Sequence, residues 1–233
     1  MSSIEGHNPA TLKVSSPCRF SEFSQTLYLW QNYILFWRAM TELLLKNIRK
    51  HIALTLSEEE LFTSLFKKRV LRKRYFLVQT GDLCKSEHFI TKGCFRAFAT
   101  DKQGNDHNLM FAVENWWISD MQSYLTGLPA TLNIEALEDS EVLYIDKIDL
   151  DRIFEEIPAF NKFFRILLQN SFVAQQNRIL SAISNTAEER YASFIKKNAS
   201  LEQRIPQHHI ASYLGVSAET LSRIRRQWLD KNS

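Results

Sequence analysis

The spacing of apolar positions changes twice along the chain, and each change marks a different kind of element. From Thr41 to His51, Leu43, Leu44, Ile48 and Ile52 recur at helical spacing. Ser57 and Glu60 read as a capping box that opens a second helix through Phe66, with Leu61, Phe62, Leu65 and Phe66 on its apolar face. The period then drops to two. Val70–Phe76, Leu77–Thr80, His88–Ile90, Cys94–Thr100, Asn108–Ala112, Thr131–Leu137 and Glu141–Ile145 are short alternating or β-rich runs. Turn residues at Gly81-Asp82, Lys92-Gly93, Gln103-Gly104-Asn105 and Glu138-Asp139-Ser140 separate them, which predicts a sandwich or barrel.

Helical spacing returns at Asp149–Glu156 and again, beyond Pro158, from Ala159 to about Ile183. Phe160, Phe163, Phe164, Leu167, Leu168, Phe172, Ile179, Leu180 and Ile183 make a stripe wider than contact with one β-domain needs. A long helix of this kind is placed to pair with its own copy; the alternative is that it packs only on its own barrel. Ser184-Asn185-Thr186 reads as a hinge, with Thr186 capping a helix over Ala187–Lys197.

The most informative stretch is Ile205–Arg226, IPQHHIASYLGVSAETLSRIRR. Ile210, Leu214, Leu221 and Ile224 keep helical spacing, broken once at Gly215, which can take the positive φ that ends a helix. Ser217 stands where the second helix needs an N-cap. Small Ala211 allows the two helices to approach, and Val216 fits the corner between them. These features predict a helix-turn-helix whose second helix enters the major groove. Arg223, Arg225 and Arg226 are cationic, Glu219 can accept from a cytosine amine, and Thr220 and Ser222 are small and polar; arginine to guanine and carboxylate to cytosine are standard major-groove pairings.

Composition narrows the choice. A length of 233 residues suits one large domain or two modest ones, and a formal charge of +3 is compatible with nucleic acid without arguing for it. Cys18, Cys84 and Cys94 form neither a CxxC nor a Cys/His cluster, which excludes a disulfide framework, fits a reducing cytoplasm and falls short of the four thiolates of an iron–sulfur cluster. No metal site or cofactor is predicted. The basic run Lys67–Arg74 leads into the first strand and reads as a solvated strand edge. Trp116-Trp117 reads as core plus rim rather than a stacking box. No glycine-rich phosphate loop, nucleophile elbow or metal-spaced His/Cys set appears, so no catalytic residue is assigned; His107, His208 and His209 lack a catalytic pattern. Residues 1–24 read as disordered. Tyr28–Trp37 is the most apolar run but too short to span a membrane, and neither a signal peptide nor any membrane partner is expected. Met40, followed at once by a clean helical pattern, is a candidate for the true initiator.

In order, these elements are a small β-barrel, a long helix, a hinge, a helix and a helix-turn-helix. The whole resembles the Crp/Fnr family of bacterial transcription regulators over roughly Met40 to Asp230. Ile210–Arg226, the AEERY segment at Ala187–Tyr191 and the QTGD turn at Gln79–Asp82 carry the resemblance, and the helix-turn-helix phrase is similar to that of Bacteroidetes regulators. It implies an α+β fold: a cyclic-nucleotide-binding-like β-roll of the double-stranded β-helix or jelly-roll type, a dimerisation helix and a helix-turn-helix domain. The expected divisions are a 1–39 extension, a 40–157 sensor domain, a 158–184 dimerisation helix and a 185–233 DNA-binding domain.

By the same resemblance Glu219, Ser222 and Arg223 fall on the base-contacting positions. Their E-x-x-S-R pattern is that of the fumarate–nitrate regulator branch and implies a TTGAT-related half-site in an inverted repeat. Ser217, Thr220, Arg225, Arg226 and Gln207 complete the DNA-binding set. The Arg-Ser pair with which family members clamp a cyclic phosphate falls on Ala130 and Thr131. Asp120, the candidate ribose carboxylate, has no glycine beside it, so the barrel is expected not to bind cyclic AMP in the family's usual way. Asp120 and Thr131 remain candidates for contacts to an unknown effector. The sequence ends a few residues past the second helix, so the β-wing usual in the family is expected to be missing. The implied function is a cytoplasmic, homodimeric transcription factor with RNA polymerase as a further partner. The alternative is a ligand-binding or protein-interaction module on the same fold that has lost DNA binding.

Overall fold

A computed structural model describes residues 37–198 and 201–232. The expectations for residues 1–24 and 28–36, and for Cys18, lie outside that range. The chain divides into two units, Met1–Ala39 and Met40–Ser233, and the sheets and helices from Met40 onward belong to the second.

Residues 40–49 are helical (α1), and Met40, Leu44, Leu45 and Ile48 are buried along its inner face. The next helix, α2, spans Leu56–Ser64. Its capping box lies two residues upstream of the expected one: Thr55 accepts from the Glu58 amide, and Glu58 accepts from the Thr55 amide at 2.7 Å. Both T-x-x-E and S-x-x-E are present in this stretch. The first is the one that forms, and on the helix it opens Phe62 is fully buried against Phe160 at 4.1 Å between ring centroids.

Eight strands follow: β1 Lys67–Leu71, β2 Phe76–Val78, β3 Ser86–Lys92, β4 Cys94–Thr100, β5 Asp106–Val113, β6 Trp117–Ile118, β7 Asn133–Ala136 and β8 Ser140–Asp146. They form two four-stranded antiparallel sheets, ordered β1-β8-β3-β6 and β2-β7-β4-β5. The strand expected over Val70–Phe76 is in fact two, because the chain crosses between sheets there. Arg74 takes a φ of 71° at the crossing and donates its amide to the Ala136 carbonyl at 2.7 Å. The basic run lies along β1, an edge strand, where Lys67 pairs with Asp146 and Lys68 with Glu141. Between β3 and β4, Gly93 has φ 106°, and a Cβ there would meet the Ser140 Oγ at 2.0 Å, so only glycine fits the turn.

A short helix, α3 (Met121–Thr126), joins β6 to β7, and α4 (Lys147–Glu156) leaves β8. The 26-residue α5, Ala159–Ser184, begins inside an aromatic cluster of Phe62, Phe66, Phe89, Trp117, Phe160 and Phe163. Trp117 thus belongs to the core and Trp116, 45% exposed, to the rim. Asn47 ties α1 to the β5–β6 turn, donating to Asn115 and accepting from the Trp117 indole. The C-terminal helices are α6 (Ala187–Asn198), α7 (Gln207–Leu214) and α8 (Ala218–Asn232). The described residues end within α8, so the missing wing is an expectation outside them.

Candidate nucleic-acid interface

The head is built as its local sequence requires. Gly215 closes α7 with φ 68°, and the Val216 amide returns to the Ala211 carbonyl at 3.0 Å. Ser217 then caps α8, its hydroxyl accepting from the Thr220 amide at 3.2 Å and donating to the Thr220 hydroxyl. Thr186 opens α6 with a reciprocal box, accepting from the Glu189 amide while its own amide donates to the Glu189 carboxylate. Tyr191, Phe194, Leu201, Ile205, Ile210, Ala211, Leu214, Leu221 and Ile224 form the core beneath these helices.

On α8 the helical period separates two faces. Leu221 and Ile224 are buried and Trp228 packs against the same core. Glu219, Ser222, Arg223 and Arg226, at i, i+3, i+4 and i+7, share the opposite face, exposed and with no side-chain hydrogen bond or ion pair among the described residues. Thr220 and Gln207 are half-buried at the helix starts. Arg225 differs from the rest: its guanidinium turns inward to Glu202 at 2.9 Å, and Glu202 also accepts from the Tyr191 hydroxyl. The structure therefore brings Glu219, Ser222, Arg223 and Arg226 together and assigns Arg225 to holding α8 on its own domain.

Sequence reasoning missed the joint that seats the head on the barrel. Ser212 of α7 accepts from the Asn108 amide of β5 at 3.0 Å and donates to the Asp106 carbonyl at 2.7 Å. The Asn108 side chain donates to the His209 carbonyl. Arg96 of β4, 6% exposed, bonds Glu135 and Asp106, stacks over Phe98 and meets the His209 ring. Arg204 donates both arms to Glu114 and a further bond to Glu138, which raises its pKa above the usual arginine value. Beneath these polar contacts Cys94, Phe111 and Leu137 of the barrel join the head's own core. No sequence periodicity links positions 96, 108, 204, 209 and 212, which is why this set was not legible.

The rear of α5 stands apart. Phe160 and Phe163 are buried on the protein's own body, while Leu168, Phe172, Val173, Ile179, Leu180 and Ile183 are exposed, Phe172 at 71%. The same helix packs on its own barrel at the front and offers an uncovered apolar stripe at the back.

Inside the β-roll, Asp120 caps α3 through the Ser123 amide and also accepts from the Thr131 and Leu132 amides, each at 3.0 Å. It is 1% exposed, so its carboxylate ties the Ala130–Leu132 segment to α3. Ala130 is itself bonded through its backbone to Gly81 and Asp82 and brings no cation. These residues do not fit a cyclic nucleotide held by an arginine and a free carboxylate. Among the described residues no group of His, Cys, Asp and Glu is arranged to hold a metal, and Cys84 and Cys94 are buried free thiols.

Residues 68–157 match the cyclic nucleotide-binding domain family. Over 189 residues the chain is 26% identical to the fumarate and nitrate reduction regulatory protein of Vibrio cholerae, covering 74% of each. It is 24% identical over 188 residues to the transcriptional activator protein Anr of Pseudomonas aeruginosa, covering 74% of this chain and 75% of that one. FixK2 from Bradyrhizobium japonicum superposes with a TM-score of 0.65 at 17% identity, over 72% of this chain and 86% of that one. A Crp/Fnr-family regulator from Eubacterium rectale gives 0.60 at 17% identity, over 76% and 85%. These likenesses support a regulator of the Crp/Fnr type. The chain has the β-roll, long helix and helix-turn-helix that the sequence led us to expect. Among the described residues no helix is long and apolar enough to cross a membrane.

Proposed function

We propose that this protein is a homodimeric, sequence-specific DNA-binding regulator of transcription. The observation that carries this reading is the exposed face of α8, where Glu219, Ser222, Arg223 and Arg226 stand unpaired among the described residues while Leu221 and Ile224 anchor the helix from behind. With α8 in the major groove, Arg223 donates both arms to a guanine edge, Glu219 accepts from a cytosine amine and Ser222 adds a short polar contact. Arg226 and Gln207 reach phosphates, fixing register without reading sequence. The half-site is of the TTGAT type.

The exposed stripe of α5 supplies the second half of the reading. Leu168, Phe172, Ile179 and Ile183 of two copies cover one another and set two heads on an inverted repeat, with half-sites about 34–36 Å apart. The barrel senses an effector other than cyclic AMP, since Asp120 is committed to backbone amides and Ala130 offers no arginine. The protein acts in the cytoplasm as a regulator rather than an enzyme, with RNA polymerase as a further partner.

Fluorescence anisotropy with the purified protein tests the reading. A duplex carrying an inverted TTGAT repeat should bind at least about a thousandfold more tightly than a scrambled duplex at physiological salt. Equal affinity for both would contradict sequence-specific recognition.

A further inference from the structure

From Leu168 to Leu180, every residue of α5 is exposed except Arg178. Its guanidinium lies 4.5 Å from the centroid of the Tyr213 ring on α7 and donates to the Asn108 carbonyl on β5 at 2.8 Å. One side chain thereby touches three bodies: the long helix from which it springs, the barrel and the head. Both receiving residues are fixed in turn. Asn108 gives its amide to Ser212 and its side chain to the His209 carbonyl. Tyr213 packs against Phe111 and Phe194, at 5.3 and 5.6 Å between ring centroids.

Elsewhere the head reaches α5 through the turn Asn185-Thr186, which lies between α5 and α6. Arg190 holds the head's own end of that turn, donating to the Asn185 and Leu214 carbonyls. Arg178 instead meets the head almost two helical turns before that turn, and so ties the long helix itself to the seat that Ser212, His209 and Arg204 make between head and barrel. Its chemistry suits the task. A planar guanidinium can lie on a ring face and donate in its own plane at once, which an ammonium cannot.

We infer that Arg178 is a positioning residue for DNA reading: it fixes each head against the long helix and so sets the half-site spacing that the dimer accepts. The inference rests on the proposed function, since it concerns the geometry of two heads on one repeat. Arg178 touches no base in this arrangement; it acts through Tyr213 and Asn108.

The test is a duplex library in which the half-sites selected by the wild-type protein are kept and the spacer between them varies in single base pairs. The wild-type protein should lose about tenfold or more in affinity one base pair from its best spacer, since each step both shifts and rotates a half-site. Arg178→Ala should keep the half-site sequence and the dimeric state while its spacer penalty falls to about threefold or less, with Arg178→Lys intermediate. Tyr213→Leu removes the ring but leaves the bond to Asn108, and should broaden spacing in the same way. It carries the test if Arg178→Ala does not fold. A uniform loss of affinity with the full spacer penalty retained in these variants would show that Arg178 is only a packing residue, and would overturn the inference. Failure of the wild-type protein to select any inverted repeat would instead overturn the functional reading beneath it.

Discussion

Arg96 and His209 meet at 3.2 Å across the joint between barrel and head, and the contact fixes the protonation of the histidine. A guanidinium can only donate, so His209 Nδ1 accepts and the ring proton sits on Nε2. Burial first, then Arg96 and His208, push the His209 pKa down to about 4, with Asp106 pulling the other way. Glu135 is paired with Arg96, and Lys73 and Arg74 line the same cavity.

A histidine whose pKa is depressed by docking favours the docked head at high pH. Released, His209 titrates near its ordinary value of about 6.5, so the contribution is complete above that pH and is lost as pH falls from 6.5 to about 4. Hydrogen exchange at the Asn108 amide, which bonds Ser212 across the joint, reads this directly. Its protection factor should fall over that window more than those of amides within β4. His209→Gln, which keeps an acceptor without titrating, should flatten the trend. Identical pH profiles in the two proteins would refute the linkage.

Glu87 behaves in the opposite sense. It is 3% exposed, accepts one bond from the Ser119 hydroxyl, and burial pushes its pKa up to about 7. The folded state holds this proton more tightly than the unfolded chain, so its contribution to stability is full below about pH 4.5 and is lost as pH rises to about 7. Glu87→Gln should match the wild type at pH 4.5 and exceed it at pH 8 by roughly 3 kcal/mol in denaturant unfolding. A variant less stable at both values would mean that the carboxylate has a charged partner.

The head was legible in the sequence and its seat was not, for one physical reason. A helix-turn-helix is specified by near neighbours: Gly215 with its left-handed φ, Ser217 as cap, and Leu221 and Ile224 one turn apart. Each signal lies within a few residues of the others. The joint depends on Asn108, Arg178 and Ser212, which lie far apart in the chain and carry no periodic mark. Short elements were lost for a related reason. Two-residue β6 cannot show alternation, and α3, six residues long, is defined by its Asp120 cap, a residue that sequence reasoning assigned to ligand. The long helix was read correctly as a stripe, but only the structure divides it into a buried front and an exposed rear.

That division predicts the effect of a charge. Phe172→Glu places a carboxylate in the exposed stripe without disturbing the body on which Phe160 and Phe163 pack. Analytical ultracentrifugation should show the wild-type dimer converted to a folded monomer. A persistent dimer would place the interface elsewhere.

Arg223 and Arg226 should separate base reading from phosphate contact. Arg223→Ala should weaken binding to the specific repeat by about 1–3 kcal/mol and relax preference at one base pair, with little change on random DNA. Arg226→Ala should weaken both alike and reduce the slope of log affinity against log salt by about one. Anisotropy titrations at several salt concentrations distinguish these outcomes, and equal losses on both DNAs for Arg223→Ala would make it a phosphate contact instead.

Whether two copies of the α8 face read DNA together can be measured by selecting binding sites from random duplex DNA with the purified protein and no added ligand. Enrichment of an inverted repeat with TTG-type half-sites is expected, giving the dimer and the residues that read it in one measurement. Enrichment of single, unpaired half-sites would contradict the dimer, and no enrichment at either low or physiological salt would contradict DNA reading by this protein on its own.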